Sequence, residues 1–276
     1  MDLQHLRQAT RQEHEATEAA MPVFGPGLTL AAYGKVLCCL FPVLRSWEAW
    51  CAGHAPARLE PLLEGRQRSP WIEADLRILS IPCPALSLSG SQDSDVSLRT
   101  FPIDPVATMN TINTTQGADT LPPLSWMDVV LEPGESPEVV SAGEFEAGFL
   151  GALYVLEGST LGGRILARQV EVALDLRSGE GNAYFQGHGA ETGAKWREVT
   201  TELAEVPEPM SERLIRSAKR TFEVFGKALE GCHVRDPDMD SSPDPDPDAN
   251  LDSDRDSVSA PMLAPVRQGG KREHKA

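Results

Sequence analysis

The sequence predicts an all-α protein, and three observations lead to that class. Apolar residues recur three and four positions apart along much of the chain, which is the spacing of a helix with one buried face. No stretch alternates Val, Ile and Thr between turn residues, as strands in hairpins do. Gly and Pro cluster between the apolar segments, for example over Pro22–Gly27, and such clusters end helices.

Three helical regions are predicted in the N-terminal part of the chain. The first covers Asp2–Ala20, and the carboxylate of its first residue is a suitable N-cap. The second covers Thr29–Cys51, again with an N-capping first residue, and contains Pro42, which we expect to kink or divide the helix. The third region, Glu60–Leu79, is predicted to form one or two helices.

The helical spacing resumes in the C-terminal part. One long pattern extends over Ser136–Leu174, and a Gly-rich loop follows over Asn182–Gly193. A further helix is predicted over Ala194–Ala204. After two prolines, Ser211 is a suitable N-cap for a last helix over Glu212–Glu230.

Two segments lack this helical spacing, and we expect the rest of the chain to form a single domain. Residues 81–122 are rich in Ser, Thr, Pro, Asp and Asn, and residues 233–276 alternate Asp with Pro and Ser. We expect one helical domain over residues 1–232, with 81–122 as a disordered insertion and 233–276 as an acidic, disordered tail. A lid or a partner-binding loop is the alternative for the insertion.

Composition argues against several classes of function. The net charge is −16, whereas binding to a phosphate backbone needs clustered Lys and Arg. No run of 18 apolar residues occurs, and the N-terminus lacks the apolar core of a signal peptide. Five cysteines without a Cys-x-x-Cys pair fit reduced thiols. We expect a cytoplasmic protein that binds neither nucleic acid nor membranes.

The first helix contains a histidine that is a candidate ligand. On a continuous helix, one face would hold Leu3, Leu6, Thr10, His14 and Thr17, so His14 is predicted to point inward. An inward histidine is either a hydrogen-bonded core residue or a ligand. Arg7, two turns upstream, could pair an anion there, and Glu18, one turn downstream, could orient the imidazole.

The long C-terminal pattern contains an unusual number of glycines. Each glycine costs roughly 1 kcal/mol relative to alanine inside a helix, so something must offset them. Two explanations stay open: close packing of helices, or approach of the backbone to a large flat ligand, with a bend in the helix. The glycines are Gly143, Gly148, Gly151, Gly158, Gly162 and Gly163.

Four segments resemble the heme oxygenase family. LRQATRQEHEATE (6–18) resembles its proximal helix, and VLEGSTLGGRIL (155–166) resembles its distal helix. ALDLRSGEGNAYF (173–185) and AKRTFEVF (218–225) resemble the segment after the distal helix and the last helix. The similarity is greatest to the bacterial biliverdin-producing branch, which is often associated with bacteriophytochromes.

The resemblance implies a fold and a reaction. The fold is a helical bundle that holds haem between the proximal helix and a glycine-bent distal helix. The reaction cleaves haem b, which is both substrate and cofactor, with O₂ and electrons to biliverdin, Fe²⁺ and carbon monoxide. A ferredoxin- or flavodoxin-type protein would be the external electron donor, and a bacteriophytochrome could receive the biliverdin.

The resemblance also assigns roles to the residues that would bind haem. His14 would be the iron ligand, and Glu18 the carboxylate beside it. Arg7 and Arg197 would contact the haem propionates, and Phe222 would pack near the haem. The family has a further basic residue where this chain has Thr201, so one propionate contact is missing.

The distal helix would supply the catalytic positions. These are Gly158, Gly162 and Gly163, whose backbone would lie close to the bound O₂, and Ser159. Mammalian members have an aspartate in place of Ser159 that holds distal water molecules, and many bacterial members also lack it. The resemblance therefore leaves open which groups order the distal waters in this chain.

Three other functions remain as alternatives. The first is a non-catalytic haem carrier or sensor on the same fold, whose site could look the same. The second is a hydrolase of the same fold that has lost haem, like those of thiamin pathways, which needs a nucleophilic cysteine. The third is an interaction protein that acts through its acidic tail.

Overall fold

The computed structural model describes residues 1–21, 27–83 and 125–230. These three ranges are helical, and no strand occurs in them, which confirms the all-α class. Side chains from nearly all of the helices meet in one buried apolar core. Most of the 81–122 segment and the whole 233–276 tail lie outside the described residues, so the predictions for them stay predictions.

The predicted first helix is two helices, α1 (Leu3–Ala9) and α2 (Arg11–Ala19). They are separated at Thr10, whose backbone leaves the helical region at φ −103° and ψ 7°. The buried Thr10 hydroxyl donates to the Leu6 carbonyl at 2.9 Å, a side-chain bond that competes with the regular helix. Asp2 caps α1 as predicted, but the prediction of one continuous helix is wrong.

Helix α3 (Leu30–His54) is the central helix of the N-terminal part. Thr29 caps it by accepting a hydrogen bond from a backbone N–H, as predicted. The helix continues through Pro42, so the prolyl residue does not divide it. In the described part of the chain only α3 is long and apolar enough to span a membrane, and half of that apolar window is buried in the core.

The region 60–79 contains two helices, α4 (Glu60–Leu63) and α5 (Ser69–Ile78). The chain after α5 still belongs to the core. A Cβ on Gly34 would lie 2.7 Å from the Ile81 side chain, and Cys83 is buried. Ordered packing thus extends to residue 83, three residues into the segment that the composition marks as an insertion.

Helix α6 (Trp126–Val130) follows the next undescribed range and was not predicted, because five residues are too few for a helical period to be recognised. It nonetheless contributes a buried aromatic residue. The Trp126 side chain is 2% exposed and its indole N–H donates to Ser46 on α3 at 2.9 Å.

Helix α7 (Ala142–Leu174) begins later than predicted because residues 136–140 form turns. Ser141 and Glu144 form a reciprocal capping box at its start. Two of its glycines serve close packing of helices. A Cβ on Gly148 would lie 2.2 Å from a carbonyl oxygen of α6, and one on Gly151 equally close to a carbonyl oxygen of the last helix.

Three helices complete the fold: α8 (Ala183–Gln186), α9 (Thr192–Glu205) and α10 (Ser211–Glu230). The predicted Gly-rich loop thus contains the short helix α8 and a turn of 3₁₀-helix at Gly189–Glu191. The last two helices agree with prediction to within two residues. Helix α10 packs against both α2 and α7 and joins the two predicted halves of the site.

The cysteines differ from expectation in one respect. Cys38 and Cys51 have free thiols. Cys39, however, is disulfide-bonded and departs from the reduced thiols that the cysteine pattern favours.

Candidate functional site

His14 lies on α2 beside two of the residues predicted to accompany it. Its Nδ1 atom lies 3.6 Å from the Glu18 carboxylate, one turn further along the helix. Its ring meets the Phe222 ring edge to face, at 5.5 Å between centroids and 82° between planes. The structure therefore brings together His14, Glu18 and Phe222, which come from opposite ends of the described chain.

The position of α2 is fixed by polar contacts with α10. Glu13 forms an ion pair with Lys219 at 2.8 Å. One turn further on, the Thr17 hydroxyl donates to the Glu13 carbonyl at 2.9 Å and also lies 3.3 Å from the Phe222 carbonyl oxygen. His14 lies between these two contacts in the sequence, so its ring is held over the face of α10 that includes Phe222.

His14 is more exposed than the sequence predicts. Leu6 and Thr10 of the same predicted stripe are buried, but the His14 side chain is 53% exposed. The break at Thr10 is the reason, because α2 has no buried residue and the stripe of α1 does not continue into the core. The prediction that His14 points into the core is wrong, and its imidazole instead lies at the protein surface, where a ligand can reach it.

The two ring nitrogens of His14 have different surroundings. Nδ1 faces the carboxylate, and Nε2 makes no hydrogen bond or ion pair with the described residues. A neutral imidazole that carries its proton on Nδ1 leaves the Nε2 lone pair free. No cluster of three His, Cys, Asp or Glu side chains that could hold a metal occurs in the described ranges.

The three glycines predicted to be catalytic have different surroundings. A Cβ on Gly162 would meet no atom within 4 Å, and one on Gly158 would meet only the Trp196 ring, at the ordinary distance of 3.6 Å. Packing does not require either glycine. A Cβ on Gly163, by contrast, would lie 2.6 Å from the Phe185 carbonyl oxygen, so this glycine allows α8 to pack closely on α7.

Ser159 is exposed on the same turn and makes two hydrogen bonds. Its hydroxyl donates to the Leu156 carbonyl at 2.7 Å and accepts from the Arg68 guanidinium at 3.0 Å. Thr160 makes a similar bond back to the Glu157 carbonyl, at 2.6 Å. The helix is continuous through this turn, from Ala142 to Leu174, so the bend that its glycines suggested stays a prediction.

A buried ionic cluster lies behind this turn. Glu157 forms an ion pair with Arg66 at 2.5 Å, and each of these side chains is 3% exposed. Arg66 also contacts Glu198 at 2.6 Å, and His188 lies 3.4 Å from the Glu157 carboxylate. Burial acts to raise the pKa of Glu157, but the contact with His188 and the charges of Arg68 and Arg66 outweigh it and lower the pKa.

A cavity of about 330 Å³ adjoins the cluster, where α3, the segment between α4 and α5, and α7 meet. Its walls include Trp47, Glu48, Cys51, Arg66, Arg68 and Glu157. Sequence reasoning missed the two arginines. They lie in a short loop, where no periodic pattern distinguishes a buried side chain from a solvated one.

The two predicted propionate residues lie on neighbouring helices. Arg7 is exposed on α1 and Arg197 is exposed on α9, and these helices pack against each other. Trp196, next to Arg197, is the residue that contacts Gly158. The Thr201 hydroxyl donates to the Arg197 carbonyl at 2.9 Å, so it is engaged with its own helix.

Comparison with solved structures identifies the fold. Heme oxygenase from Leptospira interrogans superposes with a TM-score of 0.55 at 18% sequence identity, covering 82% of this chain and 96% of the Leptospira chain. Heme oxygenase 2 from Chlamydomonas reinhardtii, solved without heme, superposes with a TM-score of 0.52 at 14% identity, covering 82% and 95%. The fold is that of the heme oxygenases. No model of a known protein family and no curated protein matches the sequence.

Proposed function

We propose that the protein is a heme oxygenase, which cleaves haem b with O₂ and electrons to biliverdin, Fe²⁺ and carbon monoxide. One observation carries the proposal beyond the fold. On a heme oxygenase fold, His14 presents an accessible Nε2 while Glu18 faces Nδ1 and Phe222 packs against the ring. A porphyrin supplies the four further ligands that a single imidazole lacks, so the residues present fit haem.

His14 would bind the haem iron as a neutral imidazole. Glu18 lies close enough to Nδ1 to favour the tautomer that this requires. Phe222 would keep the ring from turning, because its edge-to-face contact fixes the plane of the imidazole. The haem supplies the redox chemistry when it is bound, and the protein supplies position and electrostatics.

The distal turn of α7 would face the open side of the haem. Gly158 and Gly162 present backbone where any larger residue would add a side chain, and nothing within 4 Å fills the space beside Gly162. A flat substrate could therefore approach this backbone closely. Ser159 adds an exposed hydroxyl group to the same turn. Gly163 supports the site from behind, through its packing on α8.

Two arginines would orient the haem. Arg7 and Arg197 are exposed on adjacent helices, and a guanidinium group can bind a propionate with two hydrogen bonds. These two contacts would set the rotation of the haem, and hence which meso carbon lies at the distal turn. Because Thr201 offers no positive charge, we expect Arg197 to contribute most of the binding on α9.

The proposal includes partners and a location. A cytoplasmic ferredoxin- or flavodoxin-type protein would deliver the electrons, and a bacteriophytochrome could accept the biliverdin. The acidic character of the chain, at −16, means that an acidic donor needs a local basic surface on which to dock.

A single spectroscopic experiment tests the proposed function. The purified protein is mixed with hemin, and a reductant and O₂ are then added while the absorption spectrum is followed. Loss of the Soret band together with growth of a biliverdin band is the expected result. A stable haem complex that does not convert would contradict catalysis and indicate a haem carrier or sensor.

A further inference from the structure

Arg68 is a buried cation that forms no direct ion pair with a carboxylate among the described residues, although its charge helps to lower the pKa of Glu157. The residue is 3% exposed, and its guanidinium donates to the Ser159 hydroxyl at 3.0 Å and to the Leu156 carbonyl at 2.7 Å. Both acceptors are neutral. Arg66, two residues earlier and also buried, has two carboxylate partners. A buried charge is costly unless it is paired, so the environment of Arg68 requires an explanation.

The fold fixes the direction of this side chain. Glu48 on α3 accepts hydrogen bonds from the backbone N–H groups of Arg68 and Ser69, at 2.6 and 2.9 Å. The guanidinium also lies 5.6 Å from the centre of the Tyr184 ring, a cation–π distance. The backbone of Arg68 is therefore held, and its guanidinium is aimed at the turn of α7 that contains Ser159.

The carboxylates near Arg68 make their direct contacts with other groups. Glu48 is occupied by the two backbone N–H groups and the Ser69 hydroxyl. Glu157 is bonded to Arg66 at 2.5 Å and contacts His188. The guanidinium of Arg68 instead bonds to the Ser159 hydroxyl and the Leu156 carbonyl, which places a positive charge beside the exposed turn.

We propose that Arg68 is a positioning residue of the haem site, which holds the Ser159 hydroxyl and gives the distal turn a positive potential. The inference rests on the proposed function. The charge of Arg68 would favour an anionic ligand over a neutral one at the turn that contains Ser159.

The test compares an anionic and a neutral haem ligand in the full chain loaded with hemin. Azide is titrated against the ferric complex and carbon monoxide against the ferrous complex, in the wild type and in Arg68→Met, Arg68→Lys and Ser159→Ala. We expect the azide affinity of Arg68→Met to fall about tenfold, the size of one pKa unit of charge interaction, with a carbon monoxide affinity within about twofold of wild type. Arg68→Lys should retain most of the azide affinity, and Ser159→Ala should be intermediate.

Arg164→Met is the matched control. Arg164 is exposed on α7, the helix that contains Ser159, and makes no ion pair with the described residues. Its azide affinity should equal that of the wild type. Unchanged azide affinity in both Arg68→Met and Ser159→Ala would overturn the inference and reduce Arg68 to a packing residue. An equal fall for azide and carbon monoxide would overturn it as well, since a structural defect does not discriminate by charge.

Two further outcomes can be distinguished from a failure of this inference. A wild-type protein that forms no histidine-ligated hemin complex would refute the proposed function itself. If Arg68→Met does not fold, Ser159→Ala still decides, because Ser159 is exposed and its loss should not unfold the protein.

Discussion

His14 is the residue on which the proposed function depends most directly. We expect His14→Ala to lose the histidine-ligated haem spectrum and nearly all turnover. Its helical content should match that of the wild type. Its free energy of unfolding should stay within about 0.5 kcal/mol of wild type, because the side chain is 53% exposed. Absorption spectra of the hemin complex and urea unfolding measure these effects.

His5 provides the matched control for that substitution. It is exposed on α1 and has no assigned role, so His5→Ala should keep the haem spectrum of the wild type. An unchanged axial-ligand signature in His14→Ala would remove His14 from the role of iron ligand.

Asp75 shows how a single buried carboxylate supports the site from a distance. It is fully buried and accepts the backbone N–H groups of Ala183 and Tyr184, both at 2.9 Å, at the start of α8. Asp75→Ala would leave both donors unsatisfied, so we expect the free energy of unfolding to fall by about 2 kcal/mol or more. Asp75→Asn keeps one acceptor atom and should lose less, and equal stability of all three proteins in urea would refute this account.

At the scale of elements, we expect different glycines of α7 to serve ligand binding and helix packing. Gly162 lies in a helix beside open space, so Gly162→Leu should leave the fold intact and strongly weaken hemin binding. Normal hemin affinity and turnover in this variant would mean that Gly162 has no part in the site. Hemin titration and thermal unfolding are the measurements.

The neighbouring glycine should behave in the opposite way. A Cβ on Gly163 would meet the Phe185 carbonyl at 2.6 Å, and backbone gives way less easily than a flexible side chain. We expect Gly163→Ala to lower the free energy of unfolding by about 1–3 kcal/mol. Gly162→Ala, its matched control, should instead stabilise the helix by about 0.5–1 kcal/mol.

Ion pairs attach the turn before α7 to helix α10 and make stability depend on pH. Arg213 lies 2.6 Å from Glu135 and holds the pKa of that carboxyl at about 2, below its ordinary value of 4.5. A lowered pKa in the folded state stabilises the protein above the ordinary pKa, and this stabilisation is lost as the pH falls from 4.5 toward 2. Urea unfolding between pH 6 and pH 2.5 should show the loss, with a smaller dependence on pH in Glu135→Gln.

The sequence predicted elements well where local chemistry decides them. The caps Asp2 and Thr29 and the last helix follow from periodic apolar residues and capping side chains. The break at Thr10 was not predictable, because it depends on a buried hydroxyl that bonds back to the helix. The short helix α6 is held in place by its burial against α3 and not by any pattern of its own.

The candidate site also contains some residues that the sequence identifies and others that only the folded chain shows. Resemblance located His14, Glu18 and Phe222, and the fold brings them into contact. Arg66 and Arg68 could not be found in this way, since two arginines in a loop normally face solvent. Their burial depends on Glu157 and Ser159, which lie some ninety residues away in sequence, so only the folded chain shows it.

At the scale of the whole molecule, the question is which parts the proposed reaction needs. On composition, neither 81–122 nor 233–276 has enough periodic apolar residues to offset roughly 1–2 kcal/mol of backbone entropy per ordered residue. Ile81 and Cys83, however, pack in the core and must be kept. We therefore expect a chain without 84–122 and 233–276 to fold, bind hemin and form biliverdin at a rate similar to wild type.

Limited proteolysis of the intact protein tests the same prediction independently. The first cuts should fall near Ser89–Asp95 and Asp236–Asp248, since proteases reach backbone that is not held by packing. A second truncated chain that also lacks Ile81, Pro82 and Cys83 is the control, and it should be less stable than the first. Protection of 84–122 when hemin is added would contradict the prediction and identify this segment as a lid. Slower turnover at unchanged hemin affinity in the first truncated chain would instead show that the removed segments contact the electron donor.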